Sequence, residues 1–130
     1  MILGIGTDMV AIERIERALA RHGERFAKRI LGPAEYVIYR QSSRPVAHLA
    51  KRFAAKEAAS KALGTGIGQV SWHDLEIGND ARGAPRLVLR GAAASAMPGA
   101  RAWLSISDEN GMAVAFVVIE GGVEGGVEVA

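Results

Sequence analysis

Between Pro45 and Leu63 the chain is so rich in alanine that a helix formed there can be approached at backbone distance from more than one side. At 3.6 residues per turn, Leu49, Ala50, Phe53, Ala54, Glu57, Ser60 and Lys61 share one side of that helix, with Glu57 near the middle of an otherwise apolar stripe. Ala55, Ala58, Ala59 and Ala62 lie on the other side and leave room for a second neighbour. A helix packed on two sides must partly bury Glu57, and a buried carboxylate requires a cation or hydrogen-bond donors. Lys61 stands four residues on, in the favourable order for an intrahelical salt bridge, which is the plain structural reading of this pair. The sequel Gly64-Thr65-Gly66-Ile67-Gly68 holds three glycines where one would cap the helix. Such a loop suits either a mobile connector or backbone that approaches a ligand closely.

The 130 residues fit one domain with a single core. Cysteine is absent, which excludes thiolate catalysis and cysteine metal sites. The opening Met1-Ile2-Leu3-Gly4-Ile5-Gly6 run reaches Asp8 without a basic segment, and no apolar stretch approaches the roughly 20 residues a membrane helix needs. A soluble, cytoplasmic protein with no membrane partner is expected. The formal net charge is only +2, yet residues 11–52 hold ten Lys or Arg against four Glu. Arg14, Arg17 and Arg21 recur at helical spacing and form a strip suited to an acidic partner, or a solvated helix face partly neutralised by Glu13 and Glu16. The strip has no interleaved aromatics for base stacking, so nucleic acid is not expected.

Along the chain, Met1 to Ile5 reads as a short buried strand ended by Gly6. Val10, Ile12, Ile15 and Leu19 then follow at helical spacing, with Asp8 at the junction as a helix N-cap or turn residue. Pro33 suits the first position of a second helix and Pro45 opens the long third one, ending near Leu63. After Gly68 the pattern turns to strands around Leu75 and Ile77, Leu87 and Leu89, Ala102 to Ile106, and Met112 to Ile119, with a hairpin at 108–111 and a short helix near 92–97. The expected class is α+β, helices mostly in the first half and an antiparallel sheet in the second. Residues 1–120 make the domain, and 121–130, a near-repeat of Gly-Gly-Val-Glu, a flexible tail.

Taken together, Ile5-Gly6-Thr7-Asp8-Met9-Val10, the run Arg52-Phe53-Ala54-Ala55-Lys56-Glu57-Ala58-Ala59-Ser60-Lys61-Ala62 with Gly64-Thr65-Gly66, and Leu104-Ser105-Ile106-Ser107 resemble the bacterial holo-acyl-carrier-protein synthases. The resemblance covers residues 1–120 in order, including the Gly83-x-Pro85 turn. It implies the 4'-phosphopantetheinyl transferase fold and transfer of the 4'-phosphopantetheine arm of coenzyme A to a serine of apo-acyl carrier protein. It further implies Mg2+, release of adenosine 3',5'-bisphosphate, a role in fatty acid biosynthesis and a homotrimer with sites between subunits.

Residue by residue, the resemblance makes Asp8 and Glu57 the metal ligands and places both with Lys61 in catalysis. Two carboxylates suit Mg2+, which fills its octahedron with water and phosphate oxygens. Deprotonation of the serine falls to Glu57 or to a water on the metal. Lys61 can reach the same phosphates and stabilise their charge, Arg44 and Arg52 match basic residues that hold the coenzyme's phosphorylated nucleotide end in relatives, and the loop with Gly64 and Gly66 matches backbone that lines the coenzyme. Arg14, Arg17 and Arg21 acquire a partner in the acidic helix of the carrier. One departure stands out: many relatives carry a His after the Ser-x-Ser of the penultimate strand, where this chain has Asp108, so phosphate contacts there must differ. His48 and His73 read as structural or surface residues. A magnesium-dependent hydrolase and a non-catalytic docking module are the competing readings.

Overall fold

The computed structural model describes residues 1–121. A ten-residue strand β1 (Ile2–Ala11) leads into helices α1 (Ile12–His22), α2 (Glu24–Ile30), α3 (Pro33–Gln41) and the long α4 (Pro45–Leu63). A 3-10 turn (Trp72–Asp74) precedes the hairpin β2 (Leu75–Asn79) and β3 (Pro85–Leu89), and α5 (Gly91–Ala96) leads to β4 (Arg101–Glu109) and β5 (Met112–Glu120). The last two strands turn at Asn110-Gly111, both left-handed, as the hairpin reading requires. The first strand pairs antiparallel with the last, giving a three-stranded sheet in the order β1-β5-β4 beside the separate β2-β3 pair. The α+β class stands. Except for Gly121, the expected tail lies outside the described residues.

Helix α4 is the centre of the molecule, in contact with β1 and β5 on one side and α1, α2 and α3 on the other. Ala47, Ala50, Ala54, Ala55, Ala58, Ala59 and Ala62 are all buried. The approach of β1 is closest. A methyl group added at Gly4 would stand 1.8 Å from the carbonyl oxygen of Ala62, and one at Gly6 would stand 1.9 Å from that of Ala58. Strand and helix backbones therefore touch.

This contact corrects the expectation for the first strand. Gly6 does not end it; glycine is required there because the strand crosses α4 with no room for a Cβ. The strand runs on through Asp8 and Val10 to Ala11, and the N-terminal helix begins at Ile12, so Val10 is a strand residue and Asp8 caps no helix. Nor is the first strand buried on both faces, since Ile2, Leu3 and Ile5 are exposed. Helix α2 was not anticipated, so the Pro45 helix is the fourth. The seven residues of α2 carry four charges and too few apolar positions to show a period.

The second packing device is ionic. Lys56 is fully buried and donates to the carbonyls of Ile30 (2.7 Å) and Trp72 (3.0 Å) and to Glu35 Oε1 (2.8 Å). Glu35, also buried, accepts the N–H of Gly32 (2.7 Å) through Oε1 and of Ile77 (2.7 Å) through Oε2. One pair thereby joins the end of α2, the start of α3, the 3-10 turn, β2 and α4. Burial pulls the Lys56 ammonium below its ordinary range while Glu35 opposes that pull. Beside it, the ring of Phe53 lies between Phe26 and Trp72, with centroids 6.4 and 5.2 Å away.

Among the described residues nothing covers the other face of the sheet: Ile5 and Met9 from β1, Val114 and Phe116 from β5, and Trp103 from β4 are exposed. Register places Thr7 and Ser105 on either side of Phe116, and Met9 beside Val114. No helix among the described residues is long and apolar enough to cross a membrane.

Gly6→Ala is expected to lower stability by at least ~2 kcal/mol, because backbone atoms rather than a flexible side chain must move. Gly64→Ala meets open space and carries only the strain of a left-handed φ, on the order of 1 kcal/mol. Denaturant unfolding of the two variants checks the ranking; equal losses would refute backbone contact as the reason for Gly6.

Candidate functional site

Gly4, Gly6, Asp8 and Val10 alternate onto the face of β1 that meets α4, so the contact that demands two glycines presents Asp8 to the helix. Asp8 is opposite Ala115 in the sheet and is mostly buried. The ammonium of Lys61 reaches across from α4 and donates to Asp8 Oδ1 at 3.1 Å and to the Thr7 carbonyl at 3.0 Å. Lys61 therefore pairs with the strand. The intrahelical Glu57–Lys61 salt bridge does not form, and among the described residues no ion pair closes on Glu57.

Glu57 is half-buried and its carboxyl is raised above the ordinary carboxylate range. Desolvation is the main cause and the negative charge of Asp8 the second, partly offset by Lys61 and Arg14. Two carboxylates from separate elements thus share one field with a single lysine at its edge. The pair's counter-charge comes from Lys61, bonded to Asp8, and from Arg14 at longer range. No group of three or more His, Cys, Asp or Glu that could hold a metal occurs among the described residues. Asp8 and Glu57 still fit a hard cation of the magnesium type, which needs only one or two carboxylates when water and phosphate oxygens complete its shell.

The remaining expected residues divide. The Arg14, Arg17 and Arg21 strip lies on α1, all three exposed. The guanidinium of Arg14 sits 5.5 Å over the Phe53 ring and acts on Glu57 electrostatically, so one end of the strip adjoins the carboxylate pair. Arg44 stands at the N-terminal cap position of α4 and its exposed side chain pairs with Asp108 at 3.7 Å; Lys51 pairs with the same carboxylate at 3.1 Å. Asp108 thus occupies a cationic patch as an internal counter-ion. Arg52 is buried and donates to Asn79 Oδ1 (3.3 Å) at the end of β2.

The glycine loop is explained first by conformation. Gly64, Gly66 and Gly68 have φ of 77, 71 and 130°, which only glycine adopts without strain. The N–H groups of Gly64, Thr65 and Gly66 turn back onto the last carbonyls of α4: Gly64 donates to Lys61, and Thr65 and Gly66 to Ser60. Those three donors are spent on the helix end. His48 is half-buried and held neutral, its imidazole pulled down to about 4 by burial and then by Arg52 and Lys51. His73 contacts the Lys28 carbonyl at 2.9 Å through Nε2. His48 is half-buried and His73 is exposed. The Lys56–Glu35 pair was missed because its donors and acceptors come from five separated segments; only the oddity of a second lysine on a packed helix hinted at it.

With this geometry in hand, the likeness to known proteins is direct. The family model of the 4'-phosphopantetheinyl transferase superfamily matches residues 4–117. The holo-[acyl-carrier-protein] synthase of Halorhodospira halophila is 57% identical over 123 residues, covering 92% of this chain and 98% of that one, and the Vibrio cholerae protein of the same name is 53% identical over 124 residues with the same coverage. Among solved structures, the Neisseria meningitidis holo-[acyl-carrier-protein] synthase superposes with a TM-score of 0.86 at 48% identity, covering 92% of this chain and 99% of that one. The Bacillus anthracis enzyme in complex with CoA (3',5'-ADP) does so with 0.80 at 43% identity, covering 93% and 98%. Sharing the fold and nearly the full length of these proteins, the chain belongs to the holo-[acyl-carrier-protein] synthase family of enzymes, within the 4'-phosphopantetheinyl transferase superfamily.

Proposed function

We propose that this chain transfers the 4'-phosphopantetheine group of coenzyme A to a serine of apo-acyl carrier protein, in a Mg2+-dependent reaction that releases adenosine 3',5'-bisphosphate and prepares the carrier for fatty acid biosynthesis in the cytoplasm. The observation that carries the reading is Asp8 on the face of β1 that meets α4, bonded to Lys61 one turn beyond Glu57, whose own carboxyl is raised by burial and by the Asp8 charge. Relatives named holo-[acyl-carrier-protein] synthase, and the CoA-containing complex from Bacillus anthracis, support the substrate class.

Asp8 and Glu57 would hold the metal. Bound there, Mg2+ supplies charge neutralisation for a pyrophosphate and a fixed orientation for its oxygens. The serine oxygen attacks the phosphorus on the pantetheine side, the bridging P–O bond breaks, and the adenosine bisphosphate leaves with the bond electrons. The serine proton passes to a base, either Glu57 or a water held at the same site. Lys61, half-exposed and tethered to Asp8 and the Thr7 carbonyl, offers its charge to the phosphates. Arg44, Arg52 and the loop at Gly64 and Gly66 belong to the coenzyme side of this reading, and Arg14, Arg17 and Arg21 to the carrier side.

The carrier's mass after incubation with coenzyme A and Mg2+ tests the activity. Glu57→Gln should reduce transfer at least ~100-fold, the scale of a lost acid–base group. It should not destabilise the fold. Because the folded state raises the Glu57 carboxyl, ionisation there costs stability as pH rises through that value, and the neutral amide removes the cost. Without Mg2+ at pH 7, the variant's Tm should equal or exceed that of wild type. A lower Tm would return Glu57 to a structural ion pair.

Exposed charge pairs contribute about 0.2–1 kcal/mol each, so the triple change of Arg14, Arg17 and Arg21 to Ala should raise the carrier's KM roughly tenfold with the KM of coenzyme A little changed. Added salt should then weaken wild type more than the variant. Equal salt sensitivity would make the strip a solvated helix face.

We further propose a homotrimer closed over the uncovered sheet face, since Ile5, Met9, Trp103, Val114 and Phe116 form an apolar surface that one copy leaves wet. Light scattering should give three times the chain mass. A monomer, fully active at nanomolar concentration, would overturn both the assembly and any site shared between copies.

A further inference from the structure

Where β1 crosses α4, Gly4 and Gly6 lie against the backbone of Ala62 and Ala58, and Lys61 at the rim of that contact bonds to Asp8 and the Thr7 carbonyl. The small residues there fix distance but make no knobs that interlock at one phase only, and Lys61 adds only a half-exposed ammonium on a flexible stem. Rotation matters here. Glu57 feels the charge of Asp8 from its place on α4, and each residue step turns the helix by about 100°.

We propose that Lys56 is a positioning residue for Glu57: its ammonium, held by the Ile30 and Trp72 carbonyls and by Glu35, locks the rotation of α4 and so aims the neighbouring carboxylate at Asp8. All three donors of the ammonium are used, toward acceptors on three other segments. Glu35 is in turn fixed by the Gly32 and Ile77 N–H groups, so the anchor does not yield with one side chain. Hydrogen bonds are directional where methyl contacts are not. A buried polar group that selects one register among several apolar alternatives is a known physical device. No buried side-chain polar atom among the described residues lacks a partner, so the lock is complete as it stands. The inference rests on the carboxylate site proposed above.

Lys56→Met keeps the length and apolar stem and removes the donors. Measured at a temperature where circular dichroism shows the variant fully folded, with coenzyme A, carrier and Mg2+ saturating, kcat should fall at least tenfold while the carrier's KM stays within about twofold. Titration calorimetry with Mg2+ alone, without turnover, should show at least fivefold weaker binding. A purely structural lysine predicts a lower Tm with the folded fraction retaining wild-type kcat and Mg2+ affinity, and that result would overturn the inference. Lys56→Gln, which is too short to reach all three acceptors, should show the same losses; if neither variant folds under any condition, Lys56 is a folding determinant and the inference fails. Glu57→Gln in parallel separates the two levels. If it stays active, the carboxylate site itself is wrong; if it is inactive while Lys56→Met has normal kcat and Mg2+ affinity, only the positioning role is wrong.

Discussion

The separation between β1 and α4 governs the rest of this molecule. Two glycines on the strand and two alanines on the helix bring backbones into contact, with no Cβ possible at Gly4 or Gly6. From that contact follow the central position of α4, the sheet order with β1 at one edge, and the placement of Asp8 within reach of a lysine on the helix. Small residues are ordinarily a weak source of stability because they bury little area. Here their contribution is geometric: they let two main chains approach closely enough for short side chains from each to share one site.

Closeness alone does not orient a helix, and the opposite side of α4 supplies what methyl groups cannot. Lys56 and Glu35 tie five segments through directional bonds, and the Phe26, Phe53 and Trp72 cluster fills the space beside them. Consecutive residues thus take opposite roles. Lys56 is spent wholly inside the protein, while Glu57, about 100° round the helix, has its carboxyl raised by burial and by the Asp8 charge. A lysine and a glutamate that look interchangeable as charged helix residues are separated by which partners the fold brings to each.

The same logic applies at the edges of the site. Asp108 satisfies Arg44 and Lys51 internally, so part of the cationic patch at the start of α4 has its own counter-ion and an arriving anion must compete with it. The glycines after α4 answer to left-handed backbone, and three of the loop's N–H groups cap the helix. In the chain the glycine loop reads as either a connector or backbone facing a ligand, and Asp108 as a departure from the relatives' His. Each has a structural duty first.

The linear chain was enough to establish the α+β class, the long helix opened by Pro45, four of the five strands, the hairpin at Asn110-Gly111 and the likeness that singles out Asp8 and Glu57. These depend on local periodicity, turn chemistry and motif spacing, all written over a few residues. Tertiary structure alone decided that the first strand runs past Gly6, that Lys61 pairs with Asp8 rather than Glu57, that Arg52 is buried against Asn79, and that Lys56 is an anchor. The physical reason is common to all four. Each depends on which main-chain or side-chain atoms from distant segments arrive within a few ångströms, and neither propensity nor spacing along the chain carries that distance.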